Sequence, residues 1–158
     1  MHQGQLFNAI IQLPFGPLGI VCSEDSVEEF VFLPPGTPER APSCALAERS
    51  ARALAVWLDE PERPHGLPLA LRGTAFQQRV WQAIAAIPCG RTQTYGELAQ
   101  ALGSAARAVG GACGANPFPL IVPCHRVVSR QGIGGFAGNT GGHQLDVKQW
   151  LLAHELRT

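Results

Sequence analysis

Residues 73–116 read GTAFQQRVWQAIAAIPCGRTQTYGELAQALGSAARAVGGACGAN, and this stretch decides the fold of the second half of the chain. The pairs Thr74 with Gln77 and Thr94 with Glu97 have the spacing of capping boxes. In such a box the Thr accepts a hydrogen bond from an early helix N–H, and the residue three positions later bonds back. Apolar residues follow each pair at three- and four-residue steps, which is typical of a buried helix face. The stretch therefore predicts two helices that begin at these threonines.

A third helix follows the second one closely, in the pattern of a helix-turn-helix. The second helix is predicted to end at Gly103, and Ser104 is predicted to cap the next helix, residues 105–112. Apart from Arg107 and Val109, this third helix contains only small residues. A protein that reads base sequence in the major groove would carry several long polar side chains there. The composition instead favours close approach to the DNA backbone or minor groove, with Arg107 as the one inserted side chain.

The first half of the chain has the pattern of a small sheet with one helix. Residues 6–33 are rich in apolar segments. The turn-prone residues 14–17 separate two of these segments and predict a hairpin. Residues 27–33 are predicted to form a third strand. Residues 43–58 have helical spacing of apolar residues, and Ser43 is predicted to cap that helix. A linker rich in Pro and Gly follows.

The formal charge changes sign between residues 1–72 and 73–158, where the sequence patterns also change. Residues 1–72 hold five Arg against nine acidic residues, a charge of −4, and residues 73–158 hold seven basic against three acidic residues, a charge of +4. Such a split can indicate a polyanionic partner for the basic half, but chance also produces imbalances of this size. The predicted fold class is α+β. A small N-terminal α/β domain with a short antiparallel sheet spans residues 1–72, and a mostly helical C-terminal domain with the helix-turn-helix spans residues 73–158.

The overall composition excludes several classes of protein. A net charge of zero, with 46% hydrophobic and 15% charged residues, excludes a uniformly basic nucleic-acid binder and an intrinsically disordered chain. No apolar run approaches the roughly 18 residues of a membrane helix, and the first ten residues lack the pattern of a signal peptide. The five Cys are odd in number and include no C-x-x-C pair. We therefore expect reduced thiols, a cytoplasmic location, no membrane association and no metal site.

One segment carries a candidate for covalent chemistry. Cys124, His125 and Arg126 follow an apolar run that is interrupted by prolines, which is unlike an ordinary central strand. A nearby His can take the proton of a thiol, and a carboxylate such as Glu155 in the last predicted helix can orient that His. Neighbouring residues in an extended chain point to opposite sides, so the thiol and imidazole would communicate through a water or a local turn. A structural role for the pair, and a solvated charge at Glu155, remain the alternatives at this point.

The same residues resemble a known family, the O6-alkylguanine-DNA alkyltransferases. The motifs that carry the resemblance are GTAFQQRVWQAIAAIPCGRTQTYGELAQALG, SAARAVGGACGANPFPLIVPCHRVV and VKQWLLAHE, which together cover nearly all of residues 73–156. The core Pro-Cys-His-Arg-Val is highly specific. The N-terminal half resembles the family's variable, ribonuclease-H-like domain only loosely.

The resemblance implies roles for individual residues. Cys124 would be the alkyl acceptor, His125 would relay its proton through a water, and Glu155 would orient His125. Arg107 would enter the base stack when the damaged nucleotide is flipped out, and Tyr95 would help to rotate the nucleotide and stabilise the guanine leaving group. The remaining implied site residues are Asn116, which tethers the helix-turn-helix to the active-site segment, Thr94, Ser104 and Ala106 at the DNA, and Val127 and Pro119 in the base pocket.

The resemblance also implies a reaction and its partners. The alkyl group of O6-alkylguanine, and of O4-alkylthymine, in double-stranded DNA would move irreversibly to the cysteine, without a cofactor, and each molecule would act once. The protein would be a monomer that loads cooperatively on DNA. The segment 129–145 is longer than in many relatives, and Phe136 and Ala137 stand where relatives often have Tyr and Ser. No role is therefore assigned to Ala137 or Asn139.

Two other functions remain open on the sequence alone. An alkyltransferase-like lesion sensor would bind and flip the nucleotide without transfer, but such sensors lack the cysteine that stands here at position 124. An unrelated cysteine hydrolase would use Cys124 and His125 with multiple turnover and an oxyanion hole. The helix that carries Arg107 has no purpose in a hydrolase.

Overall fold

The computed structural model describes residues 6–132, 134 and 143–156. The chain divides into two compact units, Met1–Leu71 and Arg72–Thr158, whereas the sequence analysis set the boundary after residue 72. Within these residues the elements are five α-helices, one 3-10 turn, an antiparallel sheet of three strands and a pair of short parallel strands. This confirms the α+β class. Within the described residues, no helix is long and apolar enough to cross a membrane.

The N-terminal unit is a three-stranded sheet with one helix. Strands β1 (Ala9–Leu13), β2 (Gly16–Cys22) and β3 (Val27–Phe32) pair antiparallel in sequence order, and α1 spans Ala45–Asp59. The predicted hairpin and third strand are confirmed. The predicted cap at Ser43 is wrong, because Cys44 occupies the N-cap position and makes no side-chain capping bond.

The C-terminal unit contains the helix-turn-helix. Its helices are α2 (Ala75–Ala85), α3 (Tyr95–Leu102), α4 (Ala106–Gly114) and α5 (His143–Glu155). Both predicted capping boxes are present, with the Gln77 N–H 3.1 Å from Thr74 Oγ1 and the Glu97 N–H 3.0 Å from Thr94 Oγ1.

The predicted cap of the third helix is wrong. Helix α4 begins at Ala106, and its N-cap residue Ala105 makes no side-chain capping bond. Ser104 belongs to the end of α3 instead, because its backbone N–H donates to the Ala99 carbonyl at 2.8 Å. Gly103 allows this closure, since its φ of 66° lies in the left-handed region that glycine adopts without strain.

A short parallel pair of strands joins distant parts of this unit. Strand β4 (Gln93–Thr94) pairs with β5 (Val127–Val128). Neither strand was predicted from the sequence, since two residues are too few for a periodic pattern. The pairing brings the start of α3, and therefore Tyr95, beside the segment that follows Cys124.

Candidate active site

Cys124, His125 and Arg126 form a single 3-10 turn rather than an extended segment. The expectation of an extended chain through Cys124 is therefore wrong, and a local turn is present at these residues. The preceding loop is held by Asn116, whose Oδ1 accepts from the Phe118 N–H at 2.9 Å and whose Nδ2 donates to the Val122 carbonyl at 2.9 Å. Leu120 in this loop is fully buried with a φ of 79°, a strained conformation for a residue with a Cβ.

Asn116 also contacts the candidate nucleophile. Its Nδ2 donates a hydrogen bond to Cys124 Sγ at 3.3 Å. A donor that faces the sulfur stabilises a thiolate more than a neutral thiol. Asn116 therefore shapes the loop and supports the charged form of Cys124 with the same amide group.

The carboxylate of Glu155 is buried between His125 and Arg126. His125 Nε2 lies 3.0 Å from Glu155 Oε2, and Arg126 donates to both carboxylate oxygens, at 2.6 Å from Nη2 to Oε2 and 3.0 Å from Nε to Oε1. Arg126 Nη1 also donates to the Ile87 carbonyl at 2.7 Å. All three side chains are buried, with Glu155 only 3% exposed. The alternative that Glu155 is a solvated charge is wrong.

The protonation states follow from this burial. Burial raises the pKa of Cys124, and the hydrogen bond from Asn116 and the charge of Lys148 oppose that rise. Burial lowers the pKa of His125 against the opposing effect of Glu155. Burial alone would raise the pKa of Glu155, but hydrogen bonds from His125 and Arg126 lower it to about 2. At neutral pH the site therefore holds a thiol, a neutral imidazole and an ionised carboxylate.

Lys148 is a site residue that the sequence analysis missed. It lies on α5 with no exposed surface, its Nζ donates to the Val127 carbonyl at 2.7 Å, and its charge acts on Cys124. Burial lowers the pKa of Lys148 to about 8. Lysine side chains are rarely fully buried, and the apolar pattern of the helix therefore treats Lys148 as an exposed polar residue. For this reason its burial could not be predicted from that pattern. Its position in the quoted segment VKQWLLAHE, seven residues before Glu155, was the available signal.

Tyr95 reaches the same region from the start of α3. Lys148 Nζ lies 5.8 Å from the centroid of its ring, which is within the range of a cation–π contact. Gly134 packs against this ring: a Cβ at that position would stand 3.0 Å from Tyr95 Cε2 and 3.2 Å from the Ser129 nitrogen. The φ of 76° at Gly134 is also in the left-handed region. A side chain there would therefore displace Tyr95.

The other predicted residues lie at various depths in the same unit. Pro119 and Val127 are buried in and just after the loop that leads to Cys124. Ala106 and Arg107 are exposed at the start of α4, Ser104 is exposed just after α3, and Thr94 is partly buried at the start of α3. The structure therefore brings together the buried residues Cys124, His125, Glu155 and Lys148, with the partly buried Asn116 against Cys124 and with Tyr95 beside Lys148. It places Arg107 on an exposed helix start.

Phe136, Ala137 and Asn139 lie outside the described residues. The expectations of no metal and no cofactor remain predictions. Among residues 6–132, 134 and 143–156, no group of three or more His, Cys, Asp or Glu is arranged to hold a metal ion.

Comparisons with known proteins agree on one family. The family model described as 6-O-methylguanine DNA methyltransferase, DNA binding domain, matches residues 75–157. The methylated-DNA–protein-cysteine methyltransferase of Salmonella typhimurium is 40% identical over 96% of both chains, and that of Methanosarcina mazei is 33% identical over 95% of this chain and 97% of its own.

Solved structures give the same result for the fold. The O6-methylguanine methyltransferase of Mycobacterium tuberculosis superposes with a TM-score of 0.76 at 34% identity, covering 96% of this chain and 94% of its own. A structure of the protein from the same organism in complex with DNA superposes with a TM-score of 0.74 at 34% identity, covering 94% of this chain and 91% of its own. The likeness spans both units.

Proposed function

Because the chain belongs to the methylated-DNA–protein-cysteine methyltransferase family, we propose that it repairs DNA by one irreversible transfer of an alkyl group from guanine O6 to Cys124 Sγ. The relatives named above carry this activity in their names. Double-stranded DNA that contains O6-alkylguanine is the proposed substrate, and O4-alkylthymine is a second proposed lesion. The proposal includes action as a monomer that loads cooperatively on DNA, in the cytoplasm.

Two contacts at the buried residues Cys124, His125 and Glu155 carry this proposal: the hydrogen bond from Asn116 to Cys124 and the pair of His125 with Glu155. With its Nε2 at 3.0 Å from an ionised carboxylate, the neutral imidazole of His125 holds its proton on that nitrogen and keeps Nδ1 as the basic atom. In the proposal a water carries the thiol proton to Nδ1. The resulting imidazolium is stabilised by Glu155, and the thiolate is stabilised by Asn116, 3.3 Å away. The Cys124 thiol and the His125 imidazole are uncharged at rest and become charged only for the reaction. Because a neutral thiol is a weak nucleophile, Cys124 reacts little with other electrophiles before the substrate binds.

The transfer itself is a displacement at an sp³ carbon. Cys124 Sγ forms a bond to the alkyl carbon as the bond from that carbon to guanine O6 breaks, and guanine leaves with the electron pair. Proton donation to the leaving base by the Tyr95 hydroxyl makes guanine a better leaving group. The products are a thioether at Cys124 and an unmodified guanine. Water has no good leaving group to displace from a thioether, so each molecule acts once.

Lys148 also stabilises the charged form of Cys124. Its ammonium stabilises the Cys124 thiolate, and its place over the Tyr95 ring fixes the proposed proton donor. Since the pKa of Lys148 is about 8, its charge is present below that pH and is lost above it. The reactive state requires a deprotonated cysteine and a protonated lysine, so the rate of transfer should pass through a maximum with pH.

Replacing Lys148 by Met is expected to lower the rate of transfer to Cys124 at neutral pH by about tenfold or more, which corresponds to one pKa unit at the thiol. The rate should then rise steadily with pH, without the decline above about pH 8 that is expected of the wild-type protein. The measurement is the second-order rate constant with free O6-benzylguanine between pH 6 and 9.5. Lys148→Arg keeps a permanent cation and should restore much of the neutral rate while also lacking the decline. An unchanged wild-type-like profile in Lys148→Met would contradict this role.

The helix-turn-helix is the proposed DNA-binding surface. Arg107 is the second residue of α4 and is exposed, and the start of the second helix is where such motifs meet DNA. An alkyl group on guanine O6 lies inside the duplex, so the nucleotide must be extruded at a cost of a few kcal/mol before Cys124 can reach it. We propose that Arg107 fills the vacated place from the minor groove. The DNA complex of the Mycobacterium tuberculosis protein supports DNA as the partner.

Arg107→Ala is expected to impair repair of a duplex by at least about tenfold, since the flipped state loses the side chain that stabilises it. Reaction with free O6-benzylguanine should stay within about twofold of wild type, because that substrate needs no flipping. Arg91→Ala removes a charge from another exposed position of the same unit and serves as the matched control. Equal losses on duplex and free base would argue against the role of Arg107.

One experiment separates the proposed function from its alternatives. The protein is incubated with an O6-methylguanine duplex that carries a labelled methyl group, and its peptides are then mapped by mass. One methyl group on Cys124 with no turnover supports transfer. Unmodified protein that still binds the duplex would identify a lesion sensor. Repeated release of product would indicate a hydrolase, and absence of both binding and modification would refute transfer and sensing together.

A further inference from the structure

The N-terminal unit holds a pair of thiols that the proposed reaction does not use. Cys22 is the last residue of β2, and Cys44 stands immediately before α1. The Cys44 thiol lies near enough to Cys22 to raise the pKa of the Cys22 thiol, although the two residues are 22 positions apart in the sequence. No spacing in the sequence indicated that they meet.

Asn8 holds the backbone near both cysteines. Its Oδ1 accepts a hydrogen bond from the Cys22 N–H at 2.8 Å, and its Nδ2 donates to Ser43 Oγ at 3.2 Å. The Ser43 N–H in turn donates to the Asn8 carbonyl at 2.8 Å. Asn8 is therefore hydrogen-bonded both to the end of β2 and to Ser43, the residue before Cys44. These bonds hold the backbone at Cys22 close to the backbone at Cys44.

The two thiols differ in access. Cys44 is exposed, and its side chain makes no capping bond to α1, so a reagent in solvent can reach it. Cys22 is partly buried, and burial followed by the influence of Cys44 raises its pKa to about 11. Cys124 is only 4% exposed in the other unit. A reagent of moderate size therefore meets Cys44 first, with Cys22 in place behind it.

We propose that Cys22 and Cys44 form a disulfide when the protein meets a small-molecule disulfide, while Cys124 stays reduced and competent. Cys44 attacks one sulfur of the reagent, which forms a mixed disulfide and expels one thiol. Cys22 then attacks Cys44 Sγ, which forms the Cys22–Cys44 bond and expels the second thiol. Both cysteine protons leave with the two thiols, and the reagent is reduced by two electrons. The new bond ties β2 to α1 and restricts the unfolded chain between them.

The test uses the full chain with oxidised glutathione, followed by alkylation with iodoacetamide in denaturant and peptide mapping by mass. We expect a cross-linked Cys22–Cys44 peptide pair, an iodoacetamide adduct on Cys124 and undiminished methyl transfer. The Tm should rise by about 5 °C or more and return to its starting value after reduction. A lasting glutathione adduct on wild-type Cys44 without a cross-link, or oxidation of Cys124 before the pair, would overturn the proposal.

Two variants sharpen the result. Cys22→Ser should leave the glutathione adduct on Cys44, since the second attack has no nucleophile. Cys89→Ser removes a partly buried cysteine of the other unit and should form the cross-link as wild type does. A cross-link from Cys44 to any other cysteine in Cys22→Ser would show that the pairing is not set by the fold. The cross-link in the wild-type protein decides the proposal even if a variant is unstable, and it does not depend on the proposed repair function.

Discussion

Cys124→Ser is expected to lose methyl transfer by at least about 10⁴-fold while it binds an O6-methylguanine duplex within about threefold of wild type. A serine hydroxyl deprotonates far less readily than a thiol, and even Asn116 and Lys148 together cannot make it a comparable nucleophile. Binding should persist because the helix-turn-helix and Arg107 are untouched. Labelled methyl transfer and a gel-shift titration measure the two properties separately.

Cys113→Ala is the matched control for this experiment. Cys113 is a second buried thiol whose charge would act on Cys124, and burial raises its pKa to about 12. The resulting lack of thiolate makes it a poor acceptor, and the small side chain of Ala suits the small residues of α4. Cys113→Ala should therefore transfer methyl groups at close to the wild-type rate. A methyl group on Cys113 in the Cys124→Ser variant would contradict the assignment of the acceptor.

Glu155→Gln is expected to lower the free energy of unfolding by about 3–5 kcal/mol, because it leaves the buried Arg126 guanidinium without a compensating charge. It should also slow transfer, since the imidazolium of His125 loses the carboxylate that stabilises it. Chemical denaturation with urea measures the first effect. Single-turnover transfer by the protein that remains folded measures the second.

The acid dependence of stability supplies an independent check. The pKa of Glu155 is about 2 in the folded protein and about 4.5 when unfolded. Its contribution to stability is therefore complete above pH 4.5 and is lost as the pH falls towards 2. Glu155→Gln should make the decline of stability over this range shallower. Glu97→Gln is the control: Glu97 is exposed, Gln also completes a capping box, and stability should stay within about 0.5 kcal/mol.

Much of the C-terminal unit could be predicted from local patterns. The capping boxes at Thr74 and Thr94 and the helix stop at Gly103 are determined by residues within one turn of each other, so the printed sequence contains the whole signal. The segment around Cys124 was recognisable from its specific motif, which lies within the residues that the family model matches. The cap at Ser104 failed because the backbone closure of α3 engages that residue before α4 begins.

The sequence by itself determined the helices and the helix-turn-helix and led to the proposal of Cys124 as the acceptor, since each depends on neighbouring residues or on a short motif. Only the tertiary structure decided that Cys124, His125, Glu155 and Lys148 lie together and are buried. The turn at Cys124–Arg126 depends on Asn116, and the burial of Glu155 and Lys148 depends on where α5 packs. The meeting of Cys22 with Cys44 depends on Asn8. These contacts join residues far apart in the chain, and their free energies arise from burial and charge pairing that exist only after folding.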